Sequence, residues 1–271
     1  MLAFSRPPAF QTVPITPTPD SFLLCFSPDG QHFLSPTPAG WPQLGEMPHI
    51  TAALGLGKWQ GKSYAAAYSS QAIGPEQTTT LRELASRSPE DAALAGYAAQ
   101  ILDFHQSHRF CGRCASPTQA LNHEQARRCP QCGLTSYPRV APAVMVLIWR
   151  GKGTQREFLL ARGPRHRPGL YSVIAGFVEP SETLEDCCHR EVLEELGVTI
   201  RDPQYVLSQP WPLPHSLMVA FTAEYVGGDI VPQPGEIEAA QWFPAHDLPE
   251  IPPAYSCAYQ LIQRGVQQAQ P

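Results

Sequence analysis

The chain of 271 residues contains no uninterrupted apolar run of about 18 residues, the length that reads as a membrane span. Its first residues show no basic segment leading into an apolar core, so no secretory leader is expected and a cytoplasmic location is. It carries no excess of positive charge. The formal net charge is −5 and the isoelectric point is near 6.0, which argues against a nucleic-acid binder that works mainly by bulk electrostatics. There is no internal repeat and no low-complexity tract. Gly55-Leu-Gly57 with Gly61 comes near a dinucleotide glycine loop, but the spacing departs from G-x-G-x-x-G and no helical pattern follows. These glycines read as turns.

What is present is enough for about two domains with a substantial core, since 43% of residues are hydrophobic. Thirty prolines cluster at 7–20, 36–48, 203–214 and 232–253 and read as rigid loops rather than disorder, because apolar residues are interleaved with them. Four of the eight cysteines form two C-x-x-C pairs, Cys111/Cys114 and Cys129/Cys132, with 14 residues between the pairs. That pattern suits a tetrahedral Cys₄ zinc site, although the separation falls just below the usual ribbon range of roughly 15–20. A closed four-thiolate site has no open position for catalysis, so its role is structural. A redox dithiol pair and an iron–sulfur site are the alternatives. Cys25, Cys187, Cys188 and Cys257 are scattered and read as small core residues. Arg109, Arg113, Arg127 and Arg128 surround the paired cysteines and make a nucleic-acid contact an added candidate.

The pattern predicts strands at 22–26, 50–56 and 63–68. It predicts a helix over 88–108 with Ser88 as N-cap and Pro89 at its first position. From 140 onward strands and helices alternate, with strands near 140–149, 157–162, 171–175, 206, 217–225 and 241–243, and a closing helix over 254–268. Alternation of this kind indicates an α/β layered domain with a mixed sheet.

The densest information lies in Gly176 to Val198, GFVEPSETLEDCCHREVLEELGV. Glu191, Glu194 and Glu195 stand at i, i+3 and i+4 and crowd one face of a helix, where like charges destabilise it. A hard divalent cation is the obvious candidate to compensate, because Mg²⁺ takes oxygen ligands and bridges carboxylates to phosphates, although for these carboxylates in isolation a solvated acidic helix end is the favoured reading. Thr183 is placed as N-cap, Gly197 as the left-handed C-terminal stop, and Cys188, Val192 and Leu196 form an apolar stripe beside the acidic face. Arg190 and Glu182 are positioned to orient the cluster by ion pairing. Farther on, Ser208-Gln-Pro-Trp-Pro-Leu-Pro-His-Ser216 has prolines at alternate positions, which predicts a stiff extended loop holding Gln209, Trp211 and Ser216 at fixed geometry. On the residues alone, a proline-rich surface turn with a core tryptophan is an equal reading.

The stretch 176–198 resembles, at every fixed position, the Nudix signature G-x5-E-x7-R-E-U-x-E-E-x-G-U, with U aliphatic. The 208–216 segment looks like the S-Q-P-W-P-F-P-x-S array of the NADH pyrophosphatase (NudC) branch, with Leu213 in place of the usual aromatic. That branch also carries a Cys₄ ribbon ahead of its Nudix domain. The resemblance covers about 105–262 and is weak over 1–104. It implies a Nudix α/β/α sandwich with a mixed sheet over 139–271, preceded by a zinc ribbon over 105–138 and a smaller β-rich domain over 1–104.

The same resemblance implies the site residues. Glu191, Glu194, Glu195 and Glu236 would be catalytic. Two or three Mg²⁺ or Mn²⁺ ions would be held by Glu191, Glu195, Glu236 and the carbonyl of Ala175, and one structural Zn²⁺ by the four cysteines. Phe177 and Tyr137 match aromatics that sandwich the adenine, with Tyr137 coming from the partner in a homodimer. Gln209, Pro210, Trp211, Pro212, Leu213, Pro214, His215 and Ser216 would line the nicotinamide side, and Ala258 would touch substrate through its backbone. Arg82 and Glu124 match substrate-contacting positions by spacing alone. The implied activity is hydrolysis of NADH or NAD⁺ to the mononucleotide and AMP, with removal of NAD caps from RNA as the same bond cleavage. A Nudix enzyme for ADP-ribose or another nucleoside diphosphate derivative, and a non-enzymatic nucleotide sensor, are the rival readings.

Overall fold

The computed structural model describes residues 3–71 and 73–269. The described residues form two compact units, Ala3–Arg139 with Pro212–His215, and Val140–Trp211 with 216–269. No helix among the described residues is long and apolar enough to cross a membrane.

The first unit begins with strands β1 (Phe22–Phe26), β2 (Phe33–Leu34), β3 (Leu54–Trp59), β4 (Lys62–Tyr68) and β5 (Thr78–Thr79), arranged β3-β4-β1-β2-β5. β3 starts later than the apolar run at 50–56 suggests, because Ile50 is spent on a turn back to Met47. Gly55 and Gly57 are not turn residues. They lie within β3, where a Cβ would come 1.9 Å from the carbonyl oxygens of Ile15 and Gln11. The 11–15 segment crosses so closely that only glycine fits. Gln60 and Gly61, with φ of 49° and 76°, make the actual β3–β4 turn.

Helix α1 (Leu81–Arg87) follows, opened by a reciprocal capping box of Thr80 and Glu83 that the apolar periodicity does not reveal. Helix α2 (Pro89–Ser107) has the expected Ser88 cap, whose hydroxyl accepts from the Asp91 amide. The short strands β6 (Gln119–Ala120), β7 (Arg127–Arg128) and β8 (Thr135–Ser136) then form a small antiparallel ribbon.

The second unit is a mixed sheet between helices. It contains β9 (Ala141–Arg150), β10 (Glu157–Arg162), β11 (Ile174–Phe177), helix α3 (Leu184–Leu196), β12 (Thr199–Trp211), β13 (Ser216–Gly227), β14 (Ala239–Pro244) and helix α4 (Cys257–Ala269). The order is β12-β13-β9-β10-β14, with β11 on β9; β13 runs parallel to β9 and the other pairings are antiparallel. β11 begins three residues later than the sequence suggests, because Tyr171 and Ser172 bond instead to Glu250 and Ala161.

The period of two along β9 divides the core. Val144, Val146 and Ile148 pack toward Cys187, Cys188, Val192 and Leu196 of α3. Met145 and Leu147 pack with Leu261 and Ile262 of α4. α4 comes close enough that a Cβ on Gly265 would sit 2.6 Å from Leu147 Cδ2. Each helix buries its apolar stripe, and α3 presents its carboxylates from the face beside it.

Candidate active site

The acidic face of α3 is built by local rules. Thr183 caps the helix by accepting from the Asp186 amide at 3.1 Å, and Gly197 ends it with φ of 71°. Arg190 spreads across the cluster. Its Nε and Nη2 donate to Glu182 at 2.7 and 2.8 Å, its Nη1 to Glu191 at 2.8 Å and Glu194 at 3.1 Å, and Nη2 also to the Phe177 carbonyl at 2.9 Å. One guanidinium thus ties the helix to the strand and loop before it. The Arg190 bonds, with the Glu179 amide, hold the Glu182 carboxyl down at about 2. In return the carboxylates push the Arg190 pKa above its ordinary value.

Glu195 is treated differently. Burial, followed by the charges of Glu191, Glu236 and Glu194, raises its carboxyl to about 7. Neither Glu195 nor Glu236 has a cationic side-chain partner among the described residues. Glu236 reaches the cluster because its segment is pinned to the end of α3. The Val231 amide donates to the Leu196 carbonyl and the Gln233 amide to the Glu195 carbonyl, satisfying groups that a helix end leaves open. The Glu236 amide then turns back to Gln233.

Gly176 on β11 completes the pocket. A Cβ there would lie 1.8–2.2 Å from the carboxylate of Glu191, so this glycine is the space the carboxylate occupies. Ala175, beside it, pairs with Met145 on β9. An oxygen-only donor set with two carboxylates lacking cations fits a hard divalent ion. Glu191, Glu195 and Glu236 are the residues that would hold Mg²⁺ or Mn²⁺.

The cysteine pairs converge as the spacing predicts. The four Sγ atoms all lie within 4.8 Å of one another, with Cys111–Cys132 and Cys114–Cys129 each at 3.5 Å. Zinc–thiolate bonds of about 2.3 Å in a tetrahedron need sulfur atoms about 3.8 Å apart, so the cluster fits a structural zinc ion. The Arg113 amide points at Cys111 Sγ at 3.4 Å, and bonds from Ser116 lower the Cys114 thiol to about 6, which favours the thiolate. Of the arginines around this ribbon, Arg127 is half-buried and bonded internally. Its guanidinium donates to the His108 carbonyl and to Thr118 at 2.8–3.2 Å, so it is spent on the fold rather than offered to a polyanion.

The proline-rich array is a hairpin corner, not a continuous extended loop. Ser208–Trp211 are the end of β12, Ser216 opens β13, and Trp211 pairs with Ser216. Pro212, Leu213, Pro214 and His215 form the corner. Gln209 is buried and its amide donates to the Tyr255 carbonyl at 2.8 Å. The rings of Trp211 and Tyr255 lie nearly parallel, 16° apart with centroids at 6.4 Å. Tyr255 is a residue the sequence reading missed. It stands just before Ser256, whose hydroxyl accepts from the Tyr259 amide and starts the closing helix. An aromatic ahead of a helix cap was the only local signal. Ala258 is buried in the first turn of that helix.

Phe177 is 58% exposed, as is Tyr137 at 57%, so both rings are open to a ligand or a second surface. The Tyr137 hydroxyl donates to Glu124 at 3.3 Å, which joins two of the expected substrate contacts. Arg82 is exposed on α1.

The model of the NUDIX domain matches residues 139–264, and that of the NADH pyrophosphatase zinc ribbon domain matches 106–137. The chain is 61% identical over 169 residues to the NAD-capped RNA hydrolase NudC of Deinococcus radiodurans, covering 62% of this chain and 60% of that protein. It is 55% identical over 171 residues to the protein of the same name from Chromobacterium violaceum, covering 63% of each. These matches span less than two thirds of either relative. Against the Pseudomonas aeruginosa protein of that name it is 45% identical over 228 residues, covering 83% of this chain and 80% of the relative.

Proposed function

Given that the chain belongs to the Nudix family, in its NADH pyrophosphatase (NudC) branch, we propose that it hydrolyses the diphosphate bond of NADH and NAD⁺ and removes NAD caps from RNA 5′ ends. The observation that carries the hydrolytic reading is the α3 cluster, where the half-buried Glu195 stands among three other carboxylates with no cationic side-chain partner among the described residues. Glu191, seated against Gly176, and Glu236, delivered by the 231–236 segment, would with Glu195 hold Mg²⁺ or Mn²⁺, which when bound would supply charge neutralisation and activation of water. Arg190 keeps Glu191 and Glu194 from repelling each other before substrate arrives. Glu195, whose carboxyl is raised to about 7 without a bound ion, would release its proton as the ion binds.

The dinucleotide choice rests on the Gln209–Ser216 hairpin. Trp211 gives a flat apolar face supported by Tyr255, suited to stack on nicotinamide. Phe177 and Tyr137 are exposed aromatics suited to enclose the adenine, with Tyr137 contributed by the partner of a homodimer. The three-part layout, 1–104, 105–138 and 139–271, and a cytoplasmic location belong to the same reading. Initial rates on NADH, NAD⁺, ADP-ribose and NAD-capped RNA, measured side by side, test it. NADH and capped RNA should exceed ADP-ribose. A preference for ADP-ribose would assign a different substrate to the same metal centre.

A further inference from the structure

The mechanism above leaves one basic element of the catalytic unit unused. Between β10 and β11 runs Gly163-Pro-Arg-His-Arg-Pro-Gly169, with two arginines and a histidine bracketed by Gly-Pro and Pro-Gly. The His166 amide closes a turn to the Gly163 carbonyl at 3.0 Å, which puts Pro164 and Arg165 at the tip. Both ends of the loop are anchored. At the start, the Glu238 amide donates to the Arg162 carbonyl at 2.8 Å and Arg162 ion-pairs with Glu238. A Cβ on Gly163 would lie 2.9 Å from the Glu236 carbonyl oxygen, so the loop begins against the backbone of a cluster carboxylate. At the end, Arg167 ion-pairs with Glu250, whose carbonyl accepts from the Tyr171 amide.

The arginines of this unit are otherwise engaged. Arg150 and Arg201 pair with Glu157 and Glu224, Arg156 covers the Trp149 ring, Arg190 holds three glutamates and Arg264 donates to the Val206 carbonyl. Arg165 is exposed and, among the described residues, is the one arginine of the unit that no carboxylate, carbonyl or ring engages. Beside it the His166 Nδ1 atom is buried without a hydrogen-bond partner. A stiff, anchored loop that starts against the Glu236 backbone and carries an uncommitted guanidinium at its tip has the character of a phosphate receptor.

We propose that Arg165, held at the tip of the 163–169 loop, is a substrate-binding residue that takes a phosphate group of the substrate. The proposal rests on the hydrolase reading above. Two phosphates have the required chemistry, the diphosphate of the dinucleotide and the first diester of an attached RNA chain.

The test compares Arg165→Ala and Arg165→Lys with the wild-type chain on NADH and on a short NAD-capped RNA, over a range of salt. The alanine variant should lose about tenfold in kcat/KM through a raised KM, and lysine should restore part of it. Loss confined to capped RNA, with a salt slope shallower by about one, assigns the diester. Loss on both substrates, with partial rescue by lysine and unchanged Mg²⁺ dependence, assigns the diphosphate. Unchanged kinetics of Arg165→Ala on both substrates overturns the proposal while leaving the hydrolase reading intact. A loss that lysine does not relieve, accompanied by weaker Mg²⁺ activation, also overturns it, since the loop would then only support Glu236. Failure of the wild-type chain to hydrolyse either substrate would instead refute the underlying function.

Discussion

At position 195 a half-buried carboxyl stands among three like charges, and its consequences run in two directions. Its folded-state pKa of about 7 lies above the ordinary glutamate value, so the folded chain without added divalent metal binds this proton more tightly than the unfolded chain does. The stabilisation from that proton is therefore complete below the unfolded value and is lost as pH rises through about 7. Glu195→Gln should remove this dependence and raise the midpoint of thermal unfolding at pH 8 without added Mg²⁺, by a gain on the order of 1–3 kcal/mol. The same variant should lose turnover and any Mg²⁺-induced stabilisation. Near-normal rates at saturating Mg²⁺ would contradict the assignment. In the wild-type chain at subsaturating Mg²⁺, activity should climb as pH rises to about 7, because the ion must displace that proton.

Trp211 belongs to the same scale but to a different task. Its loss should remove stacking worth about 1–3 kcal/mol, or roughly 5- to 150-fold in kcat/KM on NADH, and much less on ADP-ribose, which lacks nicotinamide. Equal losses on the two would make the hairpin a structural support.

Among elements, α3 shows how far local rules extend. The Thr183 cap, the Gly197 stop and the Cys188, Val192, Leu196 stripe were all legible, because each depends on residues within a few positions of one another. Thr183→Ala should cost about 1 kcal/mol in urea unfolding and leave the metal dependence unchanged. Gly176 could be matched to a motif, yet the reason for a glycine there was not local. It faces Glu191 across the gap between β11 and α3. Gly176→Ala should displace that carboxylate and lower kcat/KM on the order of 100-fold, with a raised Mg²⁺ requirement. Retention of full activity would show that Glu191 is not held in this seat.

The glycines of β3 teach the same lesson in the other unit. Gly55 and Gly57 looked like turn residues because turns are the commonest local use of closely spaced glycines. A segment some 40 residues earlier decides otherwise by crossing them. Helix α1 escaped notice because seven residues carry too little periodicity, and its signal was the Thr80–Glu83 capping pair.

For the molecule as a whole, the ribbon and the catalytic centre should hold metal independently. One zinc per chain should survive dialysis that removes Mg²⁺, as read by elemental analysis, and added Mg²⁺ should then restore full activity. Disulfides among Cys111, Cys114, Cys129 and Cys132 would contradict the zinc ribbon.

The sequence by itself determined the helix that carries the glutamates, the thiolate set and the alternation that makes a layered sheet, because these follow from spacing along a chain of fixed geometry. It did not determine how Glu236 reaches Glu195, why the 208–216 array is a corner between two strands, which aromatic supports Trp211, or that Arg127 is bonded internally while Arg165 is uncommitted. Each of those depends on which distant backbone amide, carbonyl or ring arrives as neighbour, and only the packed tertiary structure brings them together.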